Sequence, residues 1–182
     1  PDPHEVRRIV GLSLPSAIAR LAPDETPETQ ARTVAAYKQA FFRARERGLV
    51  NEPLFDGIRE LLTRLHQGGW TLGVATGKGD RGLRGCLVMH GVFDLFVTLQ
   101  TADRHPSKPH PSMLETAMAE AGALPGDTVM IGDTAYDIEM AVAAGTRAIG
   151  VAWGYHTPEE LLAAGAEGVA ETPEQLGEML NG

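Results

Sequence analysis

Cysteine is nearly absent: Cys86 stands alone among 182 residues. One thiol cannot close an intrachain disulfide, and it belongs to no metal-ligand spacing, which fits a reducing compartment such as the cytoplasm. Basic runs are absent as well. The net charge is −8, and an acidic chain without a basic stretch argues against nucleic acid or an anionic membrane as partner. An anionic small molecule stays open, because a few local donors outweigh the overall field. No apolar run approaches the roughly 20 residues of a spanning helix. The opening residues, PDPHEVRR, carry no apolar core of the signal-peptide kind. The chain starts at Pro1 without Met, and it contains no repeats or low-complexity tracts. Its length predicts one domain, or a core with a small appendage, able to bury its own hydrophobic interior.

Strands are missing from the first third. No candidate precedes residue 69, and the segments before it read as helices. PHEVRRIVG stops at Gly11. SLPSAIARLA has Ser13 as a cap. TPETQARTVAAYKQAFFRARERG has Thr26 as a cap, Pro27 in the first turn and Gly48 as a stop. Val34, Tyr37, Phe41 and Ala44 share one face of that helix. From Asn51 the pattern changes. Ile58, Leu61, Leu62 and Leu65 sit at i, i+3, i+4 and i+7, ahead of Gly68-Gly69. A strand comes next over Trp70–Thr76, then a helix near Asp80 to His90, the strand DLFVTL, a loop rich in His and Pro, and the helix PSMLETAMAEAG. The strand TVMIG, the helix YDIEMAVAAG, the strand RAIGVAW, the helix PEELLAAG, a short GVA and the helix PEQLGEML complete the chain. This alternation predicts an α/β fold with a mostly parallel sheet covered on both faces. Ligands of such sheets sit beyond the carboxyl ends of the strands.

The residues just past each strand end are therefore informative. After WTLGVA come Thr76-Gly77-Lys78-Gly79, a hydroxyl and two glycines ahead of a helix N-terminus, where an anion is favoured; an ordinary turn reads the same way. The loop RHPSKPHP holds Lys108 among Pro106, Pro109 and Pro111, whose rings stiffen it, against the usual fate of lysine as a solvated surface residue. His105 and His110 read as loop surface residues, with no metal spacing. After TVMIG comes Asp133, where a carboxylate can hold a hard cation such as Mg²⁺. Asp137 lies one turn further, and Thr134-Ala-Tyr-Asp137 equally matches a capping box. Gly154-Tyr155-His156 after RAIGVAW reads as site rim or plain turn. A hydroxyl and a lysine for phosphate oxygens, with acids for Mg²⁺, are the equipment of phosphoryl transfer.

In that order and context, GVATGK, SKPHP and MIGDTAYDIEMAVAAG resemble the second, third and fourth motifs of the haloacid dehalogenase superfamily. The chain is most similar to its phosphoglycolate phosphatase-like branch, near the β-phosphoglucomutase-like enzymes. The resemblance implies a Rossmann-like doubly wound core over residues 53–182 and an incomplete α-helical cap over residues 1–52. It implies that Thr76 bonds the transferring phosphoryl group, with the Gly77 N–H nearby. Lys108 offsets negative charge and Asp133 binds Mg²⁺. Asp137 supports the metal through water or orients Lys108. The family's first motif, Asp-x-Asp-Gly-Thr, has no counterpart: no Asp-x-Asp occurs in the sequence. In the family it carries the nucleophile that forms an aspartyl-phosphate, on a central strand between those of Trp70–Ala75 and Thr128–Gly132.

The expectation is a Mg²⁺-dependent phosphatase acting on a small phosphorylated metabolite. This chain, beginning inside the cap, is expected to be N-terminally truncated, inactive by itself, and poorly stable or open to strand exchange. The alternatives are a sugar-phosphate mutase of the same superfamily or a non-catalytic receiver-like binding module. A dehalogenase fits less well, since that branch uses no metal.

Overall fold

The computed structural model describes residues 2–181. Three helices come first: α1 (Pro3–Arg8), α2 (Leu14–Leu21) and α3 (Pro27–Glu46). Their starts are local. Asp2, Ser13 and Thr26 stand in extended backbone as N-caps, their side-chain oxygens accept from the N–H groups of His4, Ser16 and Thr29, and each helix carries a proline in its first turn. What these helices lack is an interior. Among the described residues, Ala17 is their one buried apolar side chain. α3 buries none, so the face shared by Val34, Tyr37, Phe41 and Ala44 carries no fully buried side chain. Tyr37 and Phe41 stack on each other with ring centroids 6.2 Å apart, and Tyr37 remains exposed.

From residue 58 the chain alternates: α4 (Ile58–Gln67), β1 (Leu72–Thr76), α5 (Asp80–Met89), β2 (Phe96–Thr101), α6 (Ser112–Ala121), β3 (Val129–Gly132), α7 (Ala135–Ala144), β4 (Arg147–Val151), α8 (Pro158–Ala163), β5 (Gly168–Ala170) and α9 (Pro173–Asn181). β1 begins two residues later than the sequence suggests. The Trp70 N–H donates to the Leu65 carbonyl at 3.0 Å, closing the end of α4, and the indole packs against the cluster around Leu61 and Ile149.

Every strand pairing is parallel, as the alternation requires. The strands form two ladders, β1–β2 and β3–β4–β5. Three apolar clusters pack around them, the first reaching both ladders. Met113, Leu114 and Met118 of α6 meet Ile138, Met140 and Ala141 of α7, with Ala75 of β1 and Met130 of β3 packed alongside. Leu61 of α4 meets Ile149 and Val151 of β4 and Leu176 and Leu180 of α9. Leu83 and Leu87 of α5 meet Val92, with Leu62, Val74 and Leu99 beside them. The four-residue stripe of α4 is thus divided: Ile58, Leu61 and Leu65 face one cluster and Leu62 another. Each such side chain, fully buried, contributes about 1.5–3 kcal/mol. No helix among the described residues is long and apolar enough to cross a membrane.

Candidate functional site

The loops after β1, β2 and β3 converge on one short segment, Gly11–Ser13, between α1 and α2. Gly11 has φ +99° and rests on Thr134, where an added Cβ would lie 2.9 Å from Oγ1. A side chain at Gly77 would collide with the carbonyls of Gly11 and Leu12. The Ser13 N–H donates to Ser107 Oγ at 2.8 Å. In this way the helical segment covers the strand ends that the sequence singles out. Sequence reasoning took Gly11 for a helix stop and Ser13 for a cap; Ser13 is a cap, but its contact with Ser107 spans 94 positions and has no local signature.

Lys108 is not a solvated surface residue. It is buried, with 6% of its side chain exposed, and its ammonium pairs with Asp137 Oδ1, itself on a side chain 5% exposed. The second oxygen of Asp137, Oδ2, accepts from the Thr134 N–H at 3.1 Å and from Thr134 Oγ1 at 2.7 Å. Asp137 therefore serves both readings that the sequence left open: it closes the first turn of α7 and holds Lys108. Both its oxygens are engaged by the protein.

Asp133 differs. It follows β3 directly, half buried, and its Oδ2 accepts from the Tyr155 N–H at 3.2 Å. Burial, and then the charge of Asp137, push its carboxyl above the usual carboxylate range, against the pull of the Tyr155 N–H and of Lys108. Lys108 is drawn to Asp137, so the charge of Asp133 is the one left short of compensation. That is the setting in which a hard cation is stabilising. Among the described residues, no group of three or more His, Cys, Asp or Glu is placed to hold a metal ion. These residues thus fit Mg²⁺ through one carboxylate, with the remaining coordination left to water, substrate or further ligands.

Thr76 ends β1, and its Oγ1 accepts from the Lys78 N–H at 3.2 Å. Lys78 reaches Glu52 in the linker after α3, and Glu52 also pairs with Arg45. The N-terminus of α5 is occupied from within the chain: Asp103 accepts from the Asp80 N–H at 2.9 Å and fills the space beside Gly79. That helix end therefore has an anion already. Two histidines part company. His110 is exposed, as expected. His105 is half buried, bridging Ser112 Oγ and Gln100 Oε1 at 2.9 Å each, because its loop folds back over the end of β2. The loop after β4 is the residue set that sequence reasoning left undecided. Gly154 lies where any Cβ would overlap Asp133, and His156 is buried.

Known proteins resemble this chain along most of its length. Residues 1–151 match the family model described as haloacid dehalogenase-like hydrolase. The "Probable phosphatase IndB" of Dickeya dadantii is 37% identical over 175 residues, covering 94% of this chain and 75% of that protein. A phosphoglycolate phosphatase of Vibrio vulnificus is 34% identical over 124 residues, 68% of this chain; the match spans 54% of its length, about half. The crystal structure of a hydrolase from Pseudomonas syringae superposes with a TM-score of 0.80 over 97% of this chain and 81% of that one, at 24% identity, a likeness of fold.

Proposed function

The chain belongs to the haloacid dehalogenase-like hydrolases, in their phosphoglycolate phosphatase-like branch, and from that premise we propose that the protein is a Mg²⁺-dependent phosphatase of a small phosphate monoester. The observation that carries the reading is the division of labour between two acids. Asp137 spends both oxygens on Lys108 and Thr134. At Asp133, just past a strand end, burial and then the charge of Asp137 oppose ionisation, so its carboxylate is the one a cation would stabilise. Asp133 is then the metal carboxylate. Asp137 acts by fixing Lys108, whose ammonium offsets charge on the phosphoryl group. Thr76 Oγ1 and the Gly77 N–H orient that group from the other side. Bound Mg²⁺ would supply charge neutralisation on the phosphoryl oxygens.

The domain division belongs to the same proposal: residues 1–52 are a helical cap and residues 53–182 the catalytic core. The closeness of Gly11–Ser13 to Gly77, Ser107 and Thr134 supports a cap that closes directly over the phosphate site. The nucleophile for an aspartyl-phosphate is, in this reading, the first acid of an Asp-x-Asp segment on a strand flanked by β1 and β3. The separation of β1 from β3 into different ladders supports that placement. Since the sequence holds no Asp-x-Asp, these 182 residues alone form no covalent intermediate.

A panel of small phosphate monoesters and sugar phosphates, offered with Mg²⁺ to a chain carrying that segment, tests the reading. Release of inorganic phosphate with loss of the ester supports it. Isomerised sugar phosphate without net release assigns the site to a mutase, and Mg²⁺ binding without either product assigns it to a binding module.

A further inference from the structure

His156 has an unusual set of partners. It is 6% exposed. Its Nδ1 accepts from the N–H of Ala135, the first residue of α7, at 3.0 Å. Accepting there requires Nδ1 to be bare, so the neutral ring carries its proton on Nε2. That Nε2–H is buried and has no hydrogen-bond partner among the described residues. The ring stands edge-on to Tyr136 with centroids 5.6 Å apart. A leucine would fill such a slot without stranding a donor, and a stranded buried donor in a native fold asks for an explanation. The explanation is on the other edge of the ring.

Three bonds run from this loop to the turn that carries Asp133. Besides Nδ1 on Ala135, the backbone N–H of His156 donates to the Asp133 carbonyl at 3.1 Å, and that of Tyr155 donates to Asp133 Oδ2 at 3.2 Å. Gly154 supplies the close approach, since a Cβ there would overlap the Asp133 side chain. The first amide of a helix ordinarily goes to water, a cap or a ligand. Here an imidazole takes it, and the Thr134 amide goes to Asp137. The α7 N-terminus thus offers an anion neither amide, and the loop after β4 holds Asp133 at its carbonyl and at its carboxylate.

We propose that His156 is a positioning residue for Asp133: by binding the Ala135 amide through Nδ1, it fixes the β3–α7 turn so that the Asp133 carboxylate keeps the orientation that metal binding needs. The proposal rests on the reading of Asp133 as a metal carboxylate. A group that orients a metal ligand typically changes metal affinity or activity by about 10–100-fold when lost.

The test compares His156→Leu, which removes the acceptor, with His156→Asn, whose amide oxygen replaces Nδ1. The first readout needs no metal. In His156→Leu the Ala135 amide exchanges faster and shifts in ¹H–¹⁵N spectra, and in His156→Asn it returns towards the parent. The second readout is the Mg²⁺ concentration giving half-maximal hydrolysis in a chain that carries the Asp-x-Asp segment. It rises about 10–100-fold in His156→Leu, with KM for the ester little changed, and is largely restored in His156→Asn. Two results overturn the proposal. One is equal impairment in both variants; the other is an unchanged Mg²⁺ requirement in His156→Leu despite an exposed Ala135 amide. Asp133→Asn, run beside them, separates the two levels: if it leaves Mg²⁺-dependent hydrolysis intact, the reading of Asp133 itself has failed.

Discussion

β4 and the pair β1 and β3 are built from similar residues and live in different surroundings. Ala148, Ile149, Gly150 and Val151 of β4 are all buried, whereas β1 is half exposed along its length and β3 buries only Gly132. In a parallel α/β sheet the innermost strands are normally the driest. Here the driest strand, β4, has ladders on both sides. The two wetter strands are β1, which ends in Thr76, and β3, which leads into Asp133. β4 and its clusters hold the molecule together, whereas β1 and β3 have one ladder partner each and are the strands that the proposed reading sets on either side of the Asp-x-Asp strand. The number of neighbours is thus what sets how dry each strand is.

The largest effect is expected where the site reaches into the scaffold. Lys108→Met leaves Asp137 buried without its cation. Breaking a buried pair this way costs about 3–5 kcal/mol, read from urea unfolding, and adding Asp137→Asn to the same chain recovers part of it. Next comes the strand contrast itself. Ile149→Ala, at 1% exposure in β4, is expected to cost about 3 kcal/mol. Val74→Ala, at the half-buried equivalent in β1, costs about 1 kcal/mol. Equal losses would break the comparison. Amide exchange sharpens it: the β4 amides outlast those of β1 and β3 if the inner strands open locally before global unfolding.

The smallest effect is a pH dependence. The folded pKa of Asp133 lies above its unfolded value, because burial and the charge of Asp137 oppose ionisation. Its contribution to stability is thus fully present below the unfolded pKa, about 3.9, and is lost as pH rises through the folded value. Without metal, Asp133→Asn is therefore more stable than the parent near pH 7 and not near pH 3. Thermal unfolding at both pH values checks the sign, and the opposite order would mean that Asp133 is well compensated by its neighbours.

Local features were legible in the sequence. Ser13 and Thr26 as caps and the order of acids beyond β3 depend on residues within a turn of one another, and the α4 stripe and the alternation of strands and helices are periodic patterns of short contiguous stretches. What depends on distant chain segments was not legible. The Lys108–Asp137 pair was expected only through the family resemblance; the local residues around Lys108 read equally well as solvated surface, and its burial comes from α7. His105 looked like loop surface, yet it bridges β2 and α6. The shared face of Val34, Tyr37, Phe41 and Ala44 on α3 is present, but none of its residues is buried. The His156 contact with Ala135 spans 21 positions; its one sequence signal was a Gly followed by a polarisable side chain where a strand ends.

The most direct test of the account is Mg²⁺-dependent hydrolysis of an aryl phosphate by three proteins: the 182-residue chain, the same chain preceded by a strand bearing Asp-x-Asp, and that longer chain with Asp133→Asn. The account predicts turnover by the second alone. Turnover by the 182-residue chain, or undiminished turnover with Asp133→Asn, would contradict it, placing the nucleophile or the metal carboxylate elsewhere in the molecule.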